Sequence, residues 1–312
     1  MSSGLTRREF VERLGSGCVA ATLPNFRVTR AASELESPKK SQIIDSHVHL
    51  WKNDPQYPWA PETVAPPKEN ALPETLLDLM KTNGVSGTVI IQVIYYRWDN
   101  SYLFDVIRKY PTFFRGVCRI NPESPKACAD VAHLHKLPGF AGVRLSPASG
   151  PEGNWISGSM MAPLWSLMQN LGSTMTILTS TTRLPDVARL IQDYPDLDVV
   201  IDHMADCPPN NREELRKLLD LARFPHVYIK ISHMWSLSKQ AYPYLDTHDM
   251  VHRIYDKFGP RRLMWGTDWP LSQAHCSYAR ILSLVRDELK FLNPEDKDWI
   301  LGKTVERVWP FN

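Results

Sequence analysis

The chain has 312 residues, of which 43% are hydrophobic, a length that fits one barrel-sized domain with a short appendage better than two equal domains. Its formal net charge is +2, from 36 Lys and Arg against 34 Asp and Glu, and no basic block is interleaved with aromatics, so nucleic-acid binding gains no support. No apolar run approaches the roughly 20 residues that a membrane span requires.

The first forty residues have the features of an export signal. Arg7 and Arg8 precede Phe10 and the charge-free stretch 14–26, and small residues follow. A basic segment, an apolar segment and small residues before a cleavage point are typical of exported proteins, and the arginine pair is typical of the twin-arginine signal. We therefore expect residues 1–40 to be a twin-arginine-like signal and linker, and the protein to be periplasmic. If this segment is instead an uncleaved helix or tail, the protein is cytoplasmic.

From residue 41 onward, short apolar or β-branched runs alternate with amphipathic stretches, a pattern that predicts strands alternating with helices. Several of the runs are continuously apolar, as expected of parallel strands that are covered on both faces. The predicted strands are Ile43–Leu50, Gly87–Val93, Gly116–Ile120, Ala141–Leu145, Met175–Thr179, Val199–His203, Val227–Ile231 and Leu263–Gly266.

The predicted helices begin after these strands and end at or near a glycine or proline, the usual stop signals. They are Pro73–Lys81, Ser101–Tyr110, Lys126–Lys136, Ala162–Leu171, Leu184–Tyr194, Arg212–Arg223, Asp249–Phe258 and Tyr278–Leu289, with Pro294–Val308 as a C-terminal capping helix. Repeated strand–helix alternation predicts an α/β fold, a single (β/α)₈ TIM barrel over residues 41–312. An open doubly wound sheet is the alternative, which the lack of a glycine-rich loop after the first strand disfavours.

Metal-capable side chains stand at the C-terminal ends of three predicted strands, where such barrels carry their catalytic residues. His47 and His49 end the first strand and point to the same side, because alternate strand residues share a face. His203 ends the sixth strand and Asp268 the eighth, where an inward carboxylate needs a cation or a donor. We expect His47, His49 and Asp268 to hold a metal, and Asp268 and His203 to be catalytic. Hydrogen-bonded core histidines are the alternative interpretation.

The predicted barrel also carries a series of short motifs. They are Asp45-Ser46-His47-Val48-His49-Leu50-Trp51, Tyr57-Pro58-Trp59, Gly139-Phe140-Ala141-Gly142-Val143-Arg144, Asp202-His203, Gly266-Thr267-Asp268-Trp269-Pro270, and Leu301-Gly302 with Thr304 and Arg307-Val308-Trp309. Together they resemble the amidohydrolase superfamily, and within it the amidohydrolase-2 branch of 2-pyrone-4,6-dicarboxylate lactonase and the fucono- and rhamnono-lactonases. The resemblance covers most of the chain from Ile43 onward, and implies a TIM-barrel hydrolase that uses a divalent ion, with zinc as the expected metal.

The chain departs from the superfamily pattern at three strands. Many members have a His at the end of strand five and a Lys on strand four, whereas here residues 174–180 contain no His and strand four ends in Arg144. The resemblance therefore implies one metal ion rather than two, and leaves open a metal-free variant in which Asp268 alone activates water. Strand seven is followed by His233, where the branch more often has glycine; His233 either enters the pocket or faces solvent.

The resemblance implies a hydrolase that opens a sugar-acid or dicarboxylate lactone by Asp-assisted attack of water. Arg144 would clamp a substrate anion unless it only supports a barrel loop, and His233, Trp51 and Trp269 would also contact the small-molecule substrate. A metal-dependent decarboxylase of an unsaturated or aromatic acid is the first alternative, and a non-catalytic binding barrel the second. The sequence leaves open whether the chain forms a homo-oligomer.

Overall fold

The computed structural model describes residues 42–146 and 155–311, and in it eight strands lie side by side in the order in which the chain forms them. Every neighbouring pair is parallel, which confirms the predicted (β/α)₈ TIM barrel. The predicted export signal lies outside the described residues. The strands are β1 Ile43–Val48, β2 Val85–Ile91, β3 Phe114–Cys118, β4 Phe140–Leu145, β5 Thr174–Ile177, β6 Asp198–Ile201, β7 Val227–Ile231 and β8 Leu263–Trp265.

Helices follow the strands and cover their outer face. In the fifth helix the buried residues Leu184, Val187, Ala188 and Ile191 recur at the spacing of one helical face, so that face packs on the sheet. The helices are α1 Pro73–Asn83, α2 Ser101–Lys109, α3 Ala127–Leu134, α4 Met161–Asn170, α5 Leu184–Asp193, α6 Arg212–Leu219, α7 Met234–Leu237, α8 His248–Phe258, α9 Tyr278–Ser283, α10 Pro294–Asp298 and α11 Thr304–Val308.

The predicted capping helix is interrupted by a tertiary contact. Residues Trp299–Lys303 form a π-helical turn between α10 and α11. Gly302 lies within this turn, and a Cβ on it would come 1.8 Å from the carbonyl oxygen of Gln42. The segment therefore packs directly against the backbone that leads into β1, an approach that only glycine permits.

The barrel closes between β1 and β8 through a seam of backbone bonds and one buried carboxylate. The Asp268 N–H donates to the His47 carbonyl at 2.8 Å, and the His49 N–H donates to the Trp269 carbonyl at 2.7 Å. Asp45 is fully buried beside them and accepts hydrogen bonds from the backbone N–H of Thr267 at 2.9 Å and from its hydroxyl. This seam fixes the register in which β1 and β8 meet.

Two further features hold the seam together. The Tyr278 hydroxyl of α9 donates to the Asp45 carboxylate at 2.9 Å. Gly266 faces β1 so closely that a Cβ on it would lie 2.8 Å from the Cβ of His47. A side chain at position 266 would push the two strands apart, so glycine is required for this approach.

The floor of the barrel interior is formed by the segment around Trp309. Its indole N–H donates to the Thr174 hydroxyl at 2.9 Å, and the Lys230 ammonium lies 5.2 Å from the centre of its ring. A small apolar cluster fills the interior beside it. The buried residues of this cluster are Ile44, Val89, Ile91, Val117, Ala141, Val200, Tyr228, Met264, Val305 and Trp309. The metal-capable side chains of His47, His49, His203 and Asp268 lie apart from this cluster, at or just after the C-terminal ends of their strands.

Among the described residues, no helix combines the length and the apolar character needed to cross a membrane.

We expect Thr267→Val to lower the free energy of unfolding by about 1.5–3 kcal/mol, because it removes a hydroxyl donor from the buried Asp45 carboxylate. Denaturant unfolding followed by tryptophan fluorescence measures the change. Thr82→Val is the matched control, because the Thr82 hydroxyl is exposed on α1 and bonds only to a helix carbonyl, and it should change stability by less than about 0.5 kcal/mol. Equal effects of the two substitutions would show that Asp45 does not hold the seam.

Candidate active site and metal centre

The three predicted metal ligands converge at the seam. His47 lies in β1, His49 directly follows it, and Asp268 follows β8. The Nε2 atoms of the two histidines are 3.3 Å apart. The Asp268 Oδ1 atom lies 3.3 Å from the His49 Nε2 atom and 3.6 Å from the His47 Nε2 atom. The two nitrogens and one oxygen thus form a small triangle of donor atoms.

Hydrogen bonds at the Nδ1 atoms orient two of the imidazoles toward this triangle. The His49 Nδ1 atom lies 2.7 Å from the Ile91 carbonyl oxygen, and the His203 Nδ1 atom lies 2.8 Å from the Ser232 hydroxyl. An Nδ1 partner fixes the ring and leaves the Nε2 lone pair for a ligand, which is the usual arrangement of metal-binding histidines. The site is therefore preorganised for a cation.

His47 is oriented by a buried charge network. Its Nδ1 atom lies 3.3 Å from the Oδ1 atom of Asp202, whose other oxygen accepts from the Nε of Arg144 at 2.9 Å. The Lys230 ammonium lies 3.0 Å from the same Oδ1 atom, and all of these side chains are buried. Burial would raise the pKa of Asp202, but Lys230, His47 and Arg144 hold it well below its usual value. The Lys230 ammonium also lies 3.2 Å from the His47 Nδ1 atom, so the ionised Asp202 and Lys230 both contact that edge of the ring.

The protonation state of the histidines suits metal binding. Burial and the nearby Lys230 charge lower the pKa of His47 to about 3, and burial with the neighbouring His47 and His233 rings lowers the pKa of His203 well below its usual value. Both rings are therefore neutral at pH 7. A neutral imidazole supplies the lone pair that a metal requires.

Left-handed backbone conformations occur at three of the site residues. The φ angles are 52° at His203, 65° at His233 and 59° at Asp268, and Met204, Ala205 and Asp206 continue the left-handed turn. Each such residue costs roughly 1–2 kcal/mol when it is not glycine. These turns direct the side chains away from the path of the strand and into the barrel mouth, so backbone strain is concentrated at the site.

A cavity of about 280 Å³ opens at this end of the barrel. The predicted residues His49, Trp51, Arg144, His203, His233 and Asp268 line it. His47 lies fully buried behind them, and Trp269 is also buried and is not among the lining residues of the described chain. The cavity adds residues that the sequence did not indicate: Val93, Ile94, Tyr95, Arg119, Ser146, Leu178, Asp206 and Leu271.

Sequence reasoning missed Asp202, Lys230 and Arg119. Asp202 directly follows β6, and Arg119 directly follows β3. A charged residue at the end of an apolar strand was therefore the signal in the sequence that could have identified both. Burial and the charges of Arg144 and Arg97 lower the pKa of Arg119 to about 9. Lys230 stands inside an apolar strand, and its partner Asp202 lies far from it in the sequence.

The residues present fit a single divalent ion. Asp268 is 1% exposed, yet neither of its carboxylate oxygens has a hydrogen bond within the described chain. Tetrahedral zinc with bonds of about 2.0–2.1 Å keeps its ligand atoms about 3.3 Å apart, which is the spacing of the His47, His49 and Asp268 donors. His203 also lies within 4.8 Å of donors on His47 and Asp268. A cation would neutralise the buried carboxylate that these imidazoles surround.

Comparison with known proteins agrees with this geometry. Residues 44–311 match a family model described as amidohydrolase. An L-fucono-1,5-lactonase of Burkholderia ambifaria is 30% identical over 74% of this chain and 81% of its own length. A 4-sulfomuconolactone hydrolase of Rhizobium radiobacter is 26% identical over 73% of this chain and 75% of its own length.

The fold also recurs in a solved structure. A zinc-bound amidohydrolase from Burkholderia multivorans superposes with a TM-score of 0.73 over 86% of this chain and 99% of that one, at 22% sequence identity. At this identity the similarity establishes the fold.

We expect the purified protein to bind about one divalent ion per chain. An ion that binds only the folded state stabilises it, by about 2.7 kcal/mol at a free concentration of 100 times the Kd. His49→Leu should abolish most of this gain, because it removes one donor of the triangle. Elemental analysis measures the number of ions per chain, and denaturant unfolding with and without a chelator measures the stabilisation. His252→Gln alters an exposed histidine on α8 and should behave as the unmodified protein. Full stabilisation of His49→Leu by metal would refute this ligand set.

Proposed function

The chain belongs to the amidohydrolase family of hydrolases, and we propose that it opens a lactone ring at the site formed by His47, His49, His203 and Asp268. The observation that carries this proposal is the Asp268 carboxylate, which is buried, has no hydrogen bond to the described residues, and faces imidazole nitrogens at the wall of a cavity. A charged group in such a place is costly unless it binds a cation or moves a proton. The lactone activities of the named relatives support the substrate class.

The proposed reaction adds water across the ester bond of the ring. The water oxygen bonds to the carbonyl carbon, and Asp268 accepts the proton that the water loses. The bond between the carbonyl carbon and the ring oxygen then breaks, and Asp268 returns the proton to that leaving oxygen. The product is an open hydroxy acid. One carboxylate thus serves first as general base and then as general acid.

The remaining site residues bind and orient. His47, His49 and Asp268 would hold a divalent ion, which we take to be zinc because the donors are imidazole nitrogens and a carboxylate oxygen; such an ion would lower the pKa of a water molecule and polarise the carbonyl. His203, fixed through Ser232, directs its Nε2 atom toward the cavity and orients the water or the carbonyl. Asp202 and Lys230 both contact the Nδ1 edge of His47, which leaves its Nε2 edge turned to the centre.

The cavity wall supports a small lactone that carries an anionic group. Arg144 lines the cavity with its Nε bonded to Asp202, so its terminal nitrogens are the part that would meet a substrate carboxylate. Arg119 adds a second positive charge on the same wall, and Leu178 and Leu271 provide apolar surface. Trp51 lines the cavity beside them, whereas the buried Trp269 would act by supporting the mouth.

The experiment is an assay of carboxylated and sugar-acid lactones with and without chelator. Asp268→Asn should lower kcat by a factor of about 100 or more, because it removes the proton acceptor, while the far-UV circular dichroism stays unchanged. Asp256→Asn, an exposed carboxylate on α8, is the control and should leave kcat unaltered. Undiminished turnover in Asp268→Asn would rule out this mechanism.

The same assay separates the alternatives. Release of carbon dioxide from unsaturated or aromatic acids, without hydrolysis of any lactone, would favour the decarboxylase. Saturable binding of a lactone that remains chemically intact would favour a binding barrel. Hydrolysis that survives complete metal removal would favour the variant in which Asp268 activates water without an ion.

We also propose that residues 1–40 direct export to the periplasm through a twin-arginine-like pathway. The support is the arginine pair at Arg7 and Arg8, followed by a charge-free stretch. Fusion of residues 1–40 to a prefolded fluorescent reporter should send it to the periplasm of a bacterial host, and conversion of both arginines to lysine should retain it in the cytoplasm. Equal distribution of the two fusions would overturn the assignment.

A further inference from the structure

His233 makes a contact with Asp268 that the proposed reaction does not use. The residue lies two positions after the end of β7, and its side chain is 21% exposed and lines the cavity. Its Nε2 atom lies 3.3 Å from the Oδ2 atom of Asp268, whereas the Oδ1 atom of the same carboxylate faces His49 at 3.3 Å. The two oxygens of Asp268 are thus contacted from opposite sides.

Neighbouring rings fix the orientation of the His233 imidazole. Its ring centroid is 4.3 Å from that of His203 and 4.4 Å from that of Trp235, which stands perpendicular to it at 88°. Its Nδ1 atom lies 3.6 Å from a carboxylate oxygen of Asp206. The ring is therefore held between two aromatic neighbours with its Nε2 edge directed at Asp268.

The backbone of His233 indicates that this orientation matters. With φ 65° and ψ 13°, the residue adopts the left-handed conformation that glycine accepts without cost. A large side chain at such a position is strained, and strain of this kind concentrates at functional sites. The contact with Asp268 is the interaction that a glycine at position 233 would not make.

We propose that His233 is a positioning residue for Asp268. Through its contact with the Oδ2 atom, it keeps Oδ1 turned toward the His47 and His49 nitrogens, and so raises the metal affinity of the centre. The same contact fixes the orientation of the Asp268 carboxylate, which accepts the proton from water in the proposed reaction. This role differs from the substrate contact that the sequence indicated for His233, and it rests on the proposed metal-dependent hydrolysis.

The test compares variants of His233 whose side chains differ in whether they can contact Asp268. His233→Asn suits a left-handed backbone but is too short to reach Asp268, and His233→Gly removes the side chain while relieving the strain. His233→Gln places an amide N–H near the position of Nε2. His275→Asn is the control. His275 is exposed and stacks on Trp235, the neighbour of His233, with 4.4 Å between the centroids of the His275 and Trp235 rings.

Zinc affinity is measured by competition with a chromophoric chelator, and the stability of the metal-free protein by denaturant unfolding. We expect His233→Asn and His233→Gly to weaken zinc binding about 10- to 100-fold, His233→Gln to stay within a few-fold of the unmodified protein, and His275→Asn to bind normally. The metal-free His233→Gly protein should be at least as stable as the unmodified one, so stability and zinc affinity change in opposite directions. Unchanged zinc affinity in His233→Asn and His233→Gly, or equal weakening in His233→Gln, would overturn the proposal.

Kinetics separate this role from substrate binding. Loss of a positioning contact should lower kcat in His233→Asn with KM changed by less than about twofold, whereas a substrate contact would raise KM. The zinc measurement requires no substrate, so the absence of lactone hydrolysis would refute the proposed function and leave the positioning result intact. A rise in KM with unaltered kcat and zinc affinity would return His233 to a substrate-binding role.

Discussion

The union of β1 with β8 is the constraint on which the site depends. The Asp45 carboxylate links the strands by accepting bonds from Thr267, which lies 222 residues later in the chain. His47 and His49 belong to one side of this seam and Asp268 to the other, so their donor atoms meet only if the register is correct. A shift of β1 by one residue would turn both imidazoles away from the barrel interior. Gly266 permits the close approach that this register requires.

Beneath the metal-capable residues lies a layer of buried charge, in which two cations share one anion. Lys230 and Arg144 both contact Asp202, and none of the three side chains reaches bulk solvent to a significant extent. Buried ions are tolerated when their partners compensate for lost hydration, and removal of one partner leaves the others uncompensated. This layer lies between the apolar floor and the site and contacts the Nδ1 edge of His47, which burial and the Lys230 charge keep neutral. The buried charges of Asp202 and Lys230 thereby help to set the position of the metal donor His47.

The sequence predicted most of the barrel because its signals are local. Apolar runs marked the strands, β7 appeared with its observed bounds Val227–Ile231, and glycine or proline marked the helix ends. The metal donors could be predicted because parallel strand ends converge in a barrel. Other features depend on contacts across the fold: the π turn at Trp299–Lys303 follows from the approach of Gly302 to Gln42. The direction of His233 depends on a left-handed backbone angle that no periodicity encodes.

The seam also has a consequence for how the protein is made. A ribosome produces β1 first among the strands, and β2 can pair with it early, yet the other edge of β1 stays open until β8 and the residues 267–269 that follow it have been synthesised. An open strand edge is a template for pairing with another chain. The nascent barrel therefore spends most of its synthesis with one edge of β1 unpaired and available to another chain.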